Sequence, residues 1–114
     1  MAMSHDRADS LPTICGIIMP ISGSDDDHTE EHWMCVREVV GIAIKNAGFI
    51  PQPVWENDES DVIQTRILKN LYENEIVVCD ISTRNPNVML EFGMRLTTTK
   101  PTIVWNGWPS IIGG

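Results

Sequence analysis

Positive charge is scarce in this sequence. Eight lysines and arginines stand against sixteen aspartates and glutamates, which sets the formal charge at −8 and the pI near 4.6. Nucleic-acid binding draws on clustered Lys and Arg, so no bulk nucleic-acid binding is expected. A small nucleotide held by local donors stays compatible with this balance. Cysteine is scarce as well. Cys15, Cys35 and Cys79 are odd in number, and their spacing fits no metal or disulfide framework. Cys15 and Cys79 sit in apolar strand-like runs, where a thiol behaves as a small hydrophobe. This usage suits a reducing cytosol, so a cytoplasmic location is expected. No apolar run is long enough for a membrane span, and no membrane partner is expected. Residues 1–10, MAMSHDRADS, lack the apolar centre of a signal peptide and read as a disordered leader. There is no internal repeat and no low-complexity block.

What is present is one globular domain. The chain has 114 residues, 42% of them hydrophobic, which fits a single modest core over residues 11–114. Thr13–Ile21 is apolar on both faces and β-branched, as a fully buried strand is. In the next segment Trp33, Val36, Val40, Ile44 and Ala47 recur at helical steps, with acids at the N-terminal end and Gly48 as the C-terminal cap. Phe49–Trp55 is a short strand whose two prolines place it at a sheet edge. Ser60 is a suitable cap for a helix from Asp61 to about Asn74, with Ile63, Ile67 and Leu71 as its inner stripe. A third strand starts at Glu75. Asn85 caps a third helix with Pro86 at its first position, running to about Thr98, and Lys100–Trp105 is a fourth strand. Strands alternating with helices predict βαβ units, right-handed crossovers and a mostly parallel sheet of four to five strands.

In such sheets ligands bind outside the carboxyl ends of the strands. The stretch DISTRNPNVMLEFG, Asp80 to Gly93, falls there and holds two carboxylates. Asp80 ends its strand. Glu91 is expected in the first turn or so of the next helix, where the dipole and nearby donors favour its anion. An ionised carboxylate can attack an anomeric carbon, as in glycosidases. Asp80 suits binding a sugar hydroxyl or moving a proton. Asn85 and Asn87 offer donors and acceptors to a sugar or base. Ser22, Gly23 and Ser24 form a small loop that lets a ligand approach the backbone. A plainer reading fits the same residues: Asp80 turning the chain, Asn85 capping a helix, and Glu91 as the partner in a capping box.

The stretch VVCDISTRNPNVMLEFGMRLTTTKPTIV resembles the core of the nucleoside 2-deoxyribosyltransferase-like superfamily. That superfamily includes nucleoside and nucleotide N-glycosidases and is related in fold to the Toll/interleukin-receptor-like NAD-cleaving domains. The likeness is densest from Ile76 to Val104 and rests on Asp, then Asn-Pro-Asn-Val, then Glu-x-Gly. It extends more weakly to the first strand, TICGIIMPISGS. The resemblance implies a flavodoxin-like three-layer fold and cleavage or exchange of an N-glycosidic bond, without metal or cofactor. It implies that Glu91 is the nucleophile, that Asp80 contacts the sugar or assists the base, and that Ser22 to Asp25 approach the base or phosphate. The family's domain usually continues beyond the fourth strand, whereas this sequence stops at Gly114. The domain is therefore expected to be short at its C-terminus, and a homo-oligomer is expected, because a neighbouring subunit often completes the family's pocket. Similar asparagine-rich loops occur in sensor or effector members, some in phage defence, so a non-catalytic nucleotide-sensing or assembly module is the alternative.

Other signals are weaker. His28 and His32 match the H-x-x-E-H spacing of a zinc-peptidase class, but no third ligand follows, and a solvated acid-rich helix start explains them. Asp25, Asp26 and Asp27 read as a surface run that could attract a divalent cation. Trp33 belongs to the core, whereas Trp55 ends a strand at the ligand edge, where it could stack on a base. Trp105 and Trp108 lie beyond the last strand, exposed and suited to subunit contact. Arg84 and Arg95 are the arginines expected near the pocket, and Arg84 could meet a phosphate.

Overall fold

The structure, a computed structural model, describes residues 12–20, 30–56 and 62–106. The expected leader, the loop from Ser22 to Asp25, His28, Ser60 and Trp108 lie outside the described residues.

Strands β1 (Ile14–Ile18), β2 (Ile50–Pro53), β3 (Ile76–Asp80) and β4 (Thr102–Trp105) alternate with helices α1 (Glu30–Asn46), α2 (Ile63–Glu73) and α3 (Pro86–Leu96). Among the described residues the sheet has four strands, all parallel, in the order β2-β1-β3-β4. Each strand joins the next through a helix, and a parallel strand needs such a crossover. This is a flavodoxin-like α/β arrangement in three layers.

Burial follows from that layering. One core cluster, Cys15, Ile17, Met19, Trp33, Val40 and Ile44, lies on the α1 side. The other, Ile18, Val54, Leu71, Val77, Cys79 and Val88, lies on the side of α2 and α3. Residues 15–18 of β1 are all buried, as a central strand covered on both faces requires. β2 takes an edge, as its prolines require: Pro51 and Pro53 cannot donate to a second neighbour.

The helix ends show how local chemistry sets the frame. Gly48 has φ +94°, its N–H donates to the Lys45 carbonyl, and the Phe49 N–H donates to the Ile44 carbonyl. That is a Schellman ending, which a left-handed residue allows and glycine adopts without strain. Asn85 caps α3 as expected. α2 does not start at a side-chain cap. Val62 occupies its N-cap position in extended backbone with no side-chain bond, so the helix begins two residues later than the sequence suggests. Its position is set instead by ties to the end of β2. The Asn70 amide donates to the Val54 carbonyl at 2.8 Å, and the Arg66 guanidinium donates to the Trp55 carbonyl at 3.0 Å.

Trp105 also departs from expectation: it is half-buried against the α1-side cluster rather than exposed beyond the sheet. Ile63 is 40% exposed, so the inner stripe of α2 rests on Leu71 and half-buried Ile67. No helix among the described residues is long and apolar enough to cross a membrane.

Candidate active site

The order β2-β1-β3-β4 has its switch between β1 and β3, because the chain leaves β1 in one direction and returns on its other side. A crevice is expected outside the carboxyl ends of those two strands. A cavity of about 340 Å³ lies there, lined by Met19 and Pro20 after β1, Trp55 after β2, Ile63, Gln64 and Ile67 of α2, and Asn85, Asn87, Val88 and Glu91 of α3. Four residues singled out in the sequence, Glu91, Asn85, Asn87 and Trp55, thus share one wall system. The volume is at the small end of ligand pockets, and the lining is apolar with a few polar groups. Two larger hollows lie elsewhere. One, about 920 Å³, runs along α1 and β2 and is open and charged; the other, about 490 Å³, lies between α1 and β4 and is apolar. Neither holds the carboxylates of the sequence motif.

Glu91 is the sixth residue of α3, in its second turn. It is therefore not the capping-box partner, a position held by Val88. Nor does the helix start favour its anion as expected. Burial pushes the Glu91 carboxyl up to about 7, so desolvation outweighs the dipole at this depth. Near neutral pH the group is divided between acid and carboxylate.

Asn85 Oδ1 accepts from the Asn87 N–H at 2.9 Å and the Val88 N–H at 3.1 Å. That oxygen belongs to the helix, and the Nδ2 group is what Asn85 can offer to the cavity. The cap and Pro86 fix the direction of α3, and through it the placement of Glu91. Before the cap, Arg84 adopts φ +58°, a strained left-handed conformation for a residue with a side chain.

Asp80 is only 3% exposed and does not line the cavity. Its Oδ1 accepts from the Ser82 N–H at 2.9 Å and from the Ser82 hydroxyl, closing a turn at the end of β3. It remains close to the site. Cys79 is pushed up to about 12 by burial, then by the charges of Asp80 and Glu91. Burial also raises Cys15. Both thiols stay protonated at neutral pH, so neither is a nucleophile candidate.

Both arginines lie away from the cavity wall. Arg84 is exposed and donates to the Ile81 carbonyl at 2.8 Å. Arg95 is fully buried and donates to the carbonyls of Leu71, Asn74 and Pro101 and to the Thr102 hydroxyl, at the opposite rim of the sheet. Of the two histidines with zinc-peptidase spacing, His32 packs edge-on against Trp33, with ring centres 4.7 Å apart, and His28 lies outside the described residues.

Met19, Ile63, Gln64, Ile67 and Val88 are not legible in the sequence as cavity walls. Ile67 reads as a core residue. Gln64 gives no signal in sequence, because its role depends on where α2 starts. No protein-family model matches this chain, and no curated protein matches it.

Proposed function

We propose that this protein cleaves or exchanges the N-glycosidic bond of a nucleoside, nucleotide or related dinucleotide, with Glu91 as nucleophile. The observation that carries this reading is a half-buried glutamate on the wall of a cavity at the sheet's switch point. Trp55 offers an aromatic face to a base. Asn87 and the Asn85 Nδ2 group offer polar contacts to the sugar.

In the reaction, a Glu91 carboxylate oxygen forms a bond to the anomeric carbon. The carbon–nitrogen bond breaks with its electron pair moving to the base, which takes up a proton. Water then attacks the glycosyl-enzyme and releases the sugar, or a second base attacks and gives the exchanged product. Asp80 holds the loop that leads into the α3 cap through its bonds to Ser82, and in this scheme it is assigned to orient a sugar hydroxyl or pass a proton. No metal or cofactor enters this scheme. The proposal includes a homo-oligomer, supported by exposed Ile103 and Val104 on the edge strand β4.

Incubation with nucleosides, nucleotides and NAD, with released base followed by chromatography, tests the reading. Base release that is abolished in Glu91→Ala, with the circular dichroism spectrum unchanged, is the expected result. Ligand binding without release in the wild type favours the second reading, a nucleotide-sensing or assembly module of the same fold. That alternative draws on the commitment of Asp80 and Asn85 Oδ1 to local structure.

A further inference from the structure

Of the three described helices, α3 is the one with no charged residue on its outer side. α1 exposes Glu31, Arg37, Glu38 and Lys45, and α2 exposes Lys69 and Glu73. The two ionisable residues of α3 both turn inward: Glu91 lines the cavity, and Arg95 is fully buried. What α3 turns outward is apolar. Leu90 is 63% exposed and Leu96 54%. Gly93 between them is exposed as well, on the side away from buried Val88 and Arg95. A helix that is apolar on its inner and outer sides alike has the pattern of a buried helix.

The apolar surface continues on both flanks. Asn70 and Arg66 bond one flank of α2 to the end of β2, so Leu68 and Tyr72 lie on the opposite flank, toward α3. Val104 of β4 is in register with Cys79, whose side chain belongs to the cluster beneath α2 and α3, so Val104 faces that same layer. Singly, an exposed leucine is ordinary. Here five exposed large apolar side chains, Leu68, Tyr72, Leu90, Leu96 and Val104, surround one helix face without a charge, which marks an interaction surface. The 11 residues of α3 span about 16 Å, and the three elements together roughly 30 Å, so the face offers on the order of 500 Å². Two such faces bury about 1,000 Å², the lower limit for a specific interface.

Two observations identify the occupant as a second copy of this chain. At a net charge of −8, a copy is repelled from an acidic surface and approaches best where charge is absent. The spacing is also symmetric, with Leu90 three residues before Gly93 and Leu96 three after it. In an antiparallel crossing about a two-fold axis at Gly93, Leu90 of each copy packs beside Leu96 of the other. The missing side chain at the axis lets the two backbones approach closely. Nothing within the described chain asks for glycine there: a Cβ at Gly93 would meet nothing within 4 Å, and glycine in mid-helix is unfavourable.

We infer that the outer face of α3 is a self-association surface, on which a second copy docks antiparallel about Gly93 to form a two-fold dimer. The inference goes beyond the homo-oligomer proposed above by naming its face, and it does not depend on Glu91 being catalytic.

Sedimentation of the 114-residue chain over a concentration series tests it. A monomer–dimer equilibrium with a dissociation constant in the micromolar range is expected for a face of this size. Leu90→Glu and Leu96→Lys, each alone, should raise that constant roughly tenfold or more with an unchanged circular dichroism spectrum. The two together in one chain should recover most of the loss at low salt, because the new carboxylate of each copy then faces the new ammonium of the other. Gly93→Ala should weaken the dimer, while the melting temperature of the dilute monomer stays the same or rises. A wild-type chain that remains monomeric throughout overturns the inference and leaves the face to another part of the chain or to another partner. A dimer that survives all of these substitutions also overturns it, and places the contact elsewhere, as at Ile103 on the edge of β4. Single variants that dissociate without recovery in the double variant remove the antiparallel arrangement. Base release plays no part in these measurements, so the glycosidase reading stands or falls separately.

Discussion

Glu91 carries an ionisation that burial has moved from an ordinary value of 4.5 to about 7. Its effect on folding has a definite sign. The folded-state pKa lies above the unfolded one, so the neutral acid's contribution is fully present below about pH 4.5 and is lost as pH rises through 7. An ionised Glu91 therefore destabilises the fold, by an amount on the order of 3 kcal/mol. Glu91→Gln should raise stability at pH 8 by about 1–3 kcal/mol in a urea titration, with the gain shrinking toward zero near pH 5. Equal gains at both pH values would mean that the group is solvated. The same residue sets the pH profile of the chemistry. A nucleophile must be ionised, so kcat/KM should climb about tenfold per pH unit below 7 and level off above it. A profile that falls through 7 would assign Glu91 as an acid instead.

The α3 cap ties stability to the site. Asn85→Ala removes the acceptor for two helix amides and should cost about 1 kcal/mol in thermal or urea unfolding. Asn85→Asp keeps the cap oxygen but loses the Nδ2 donor. Its stability should match or exceed wild type, while nucleoside affinity falls. If affinity is unchanged in Asn85→Asp, Asn85 acts on the helix alone. This element was legible because Asn followed by Pro satisfies N-cap and first-turn chemistry together. The start of α2 was not. Ser60 is a good cap by residue type, yet α2 begins at Ile63, and the Asn70 and Arg66 bonds to Val54 and Trp55 hold it to β2. Those are contacts between segments that sequence spacing does not reveal.

At the scale of the molecule, Arg95 ties α3 to the end of α2 and to the start of β4. Its guanidinium reaches the carbonyls of Leu71 and Asn74, where α2 ends, and of Pro101, just before β4. Burial lowers its pKa, but the ring of acceptors suits a charged, forked donor. Arg95→Met should leave those buried carbonyls without a donor and cost about 3 kcal/mol or more. A domain of this size has roughly 5–15 kcal/mol in hand, so a large fall in melting temperature by circular dichroism is expected. Arg95→Lys should rescue little of it, because an ammonium cannot reach the same spread of acceptors. A melting temperature close to wild type in both variants would mean that water replaces the guanidinium.

The sequence by itself determined the alternation of four strands and three helices, the edge place of β2 and the cap of α3. Each depends on local chemistry: hydrophobic period, proline geometry, a side-chain oxygen within reach of its own helix. Tertiary structure decided the rest. It put Glu91 in the second turn of α3 and dried it enough to raise its pKa. It turned Asp80 toward Ser82, sent Arg95 to the opposite rim, and brought Gln64 to the cavity wall. Those outcomes depend on which segments pack together, and desolvation and long-range contacts leave no mark on the spacing of residues along a chain.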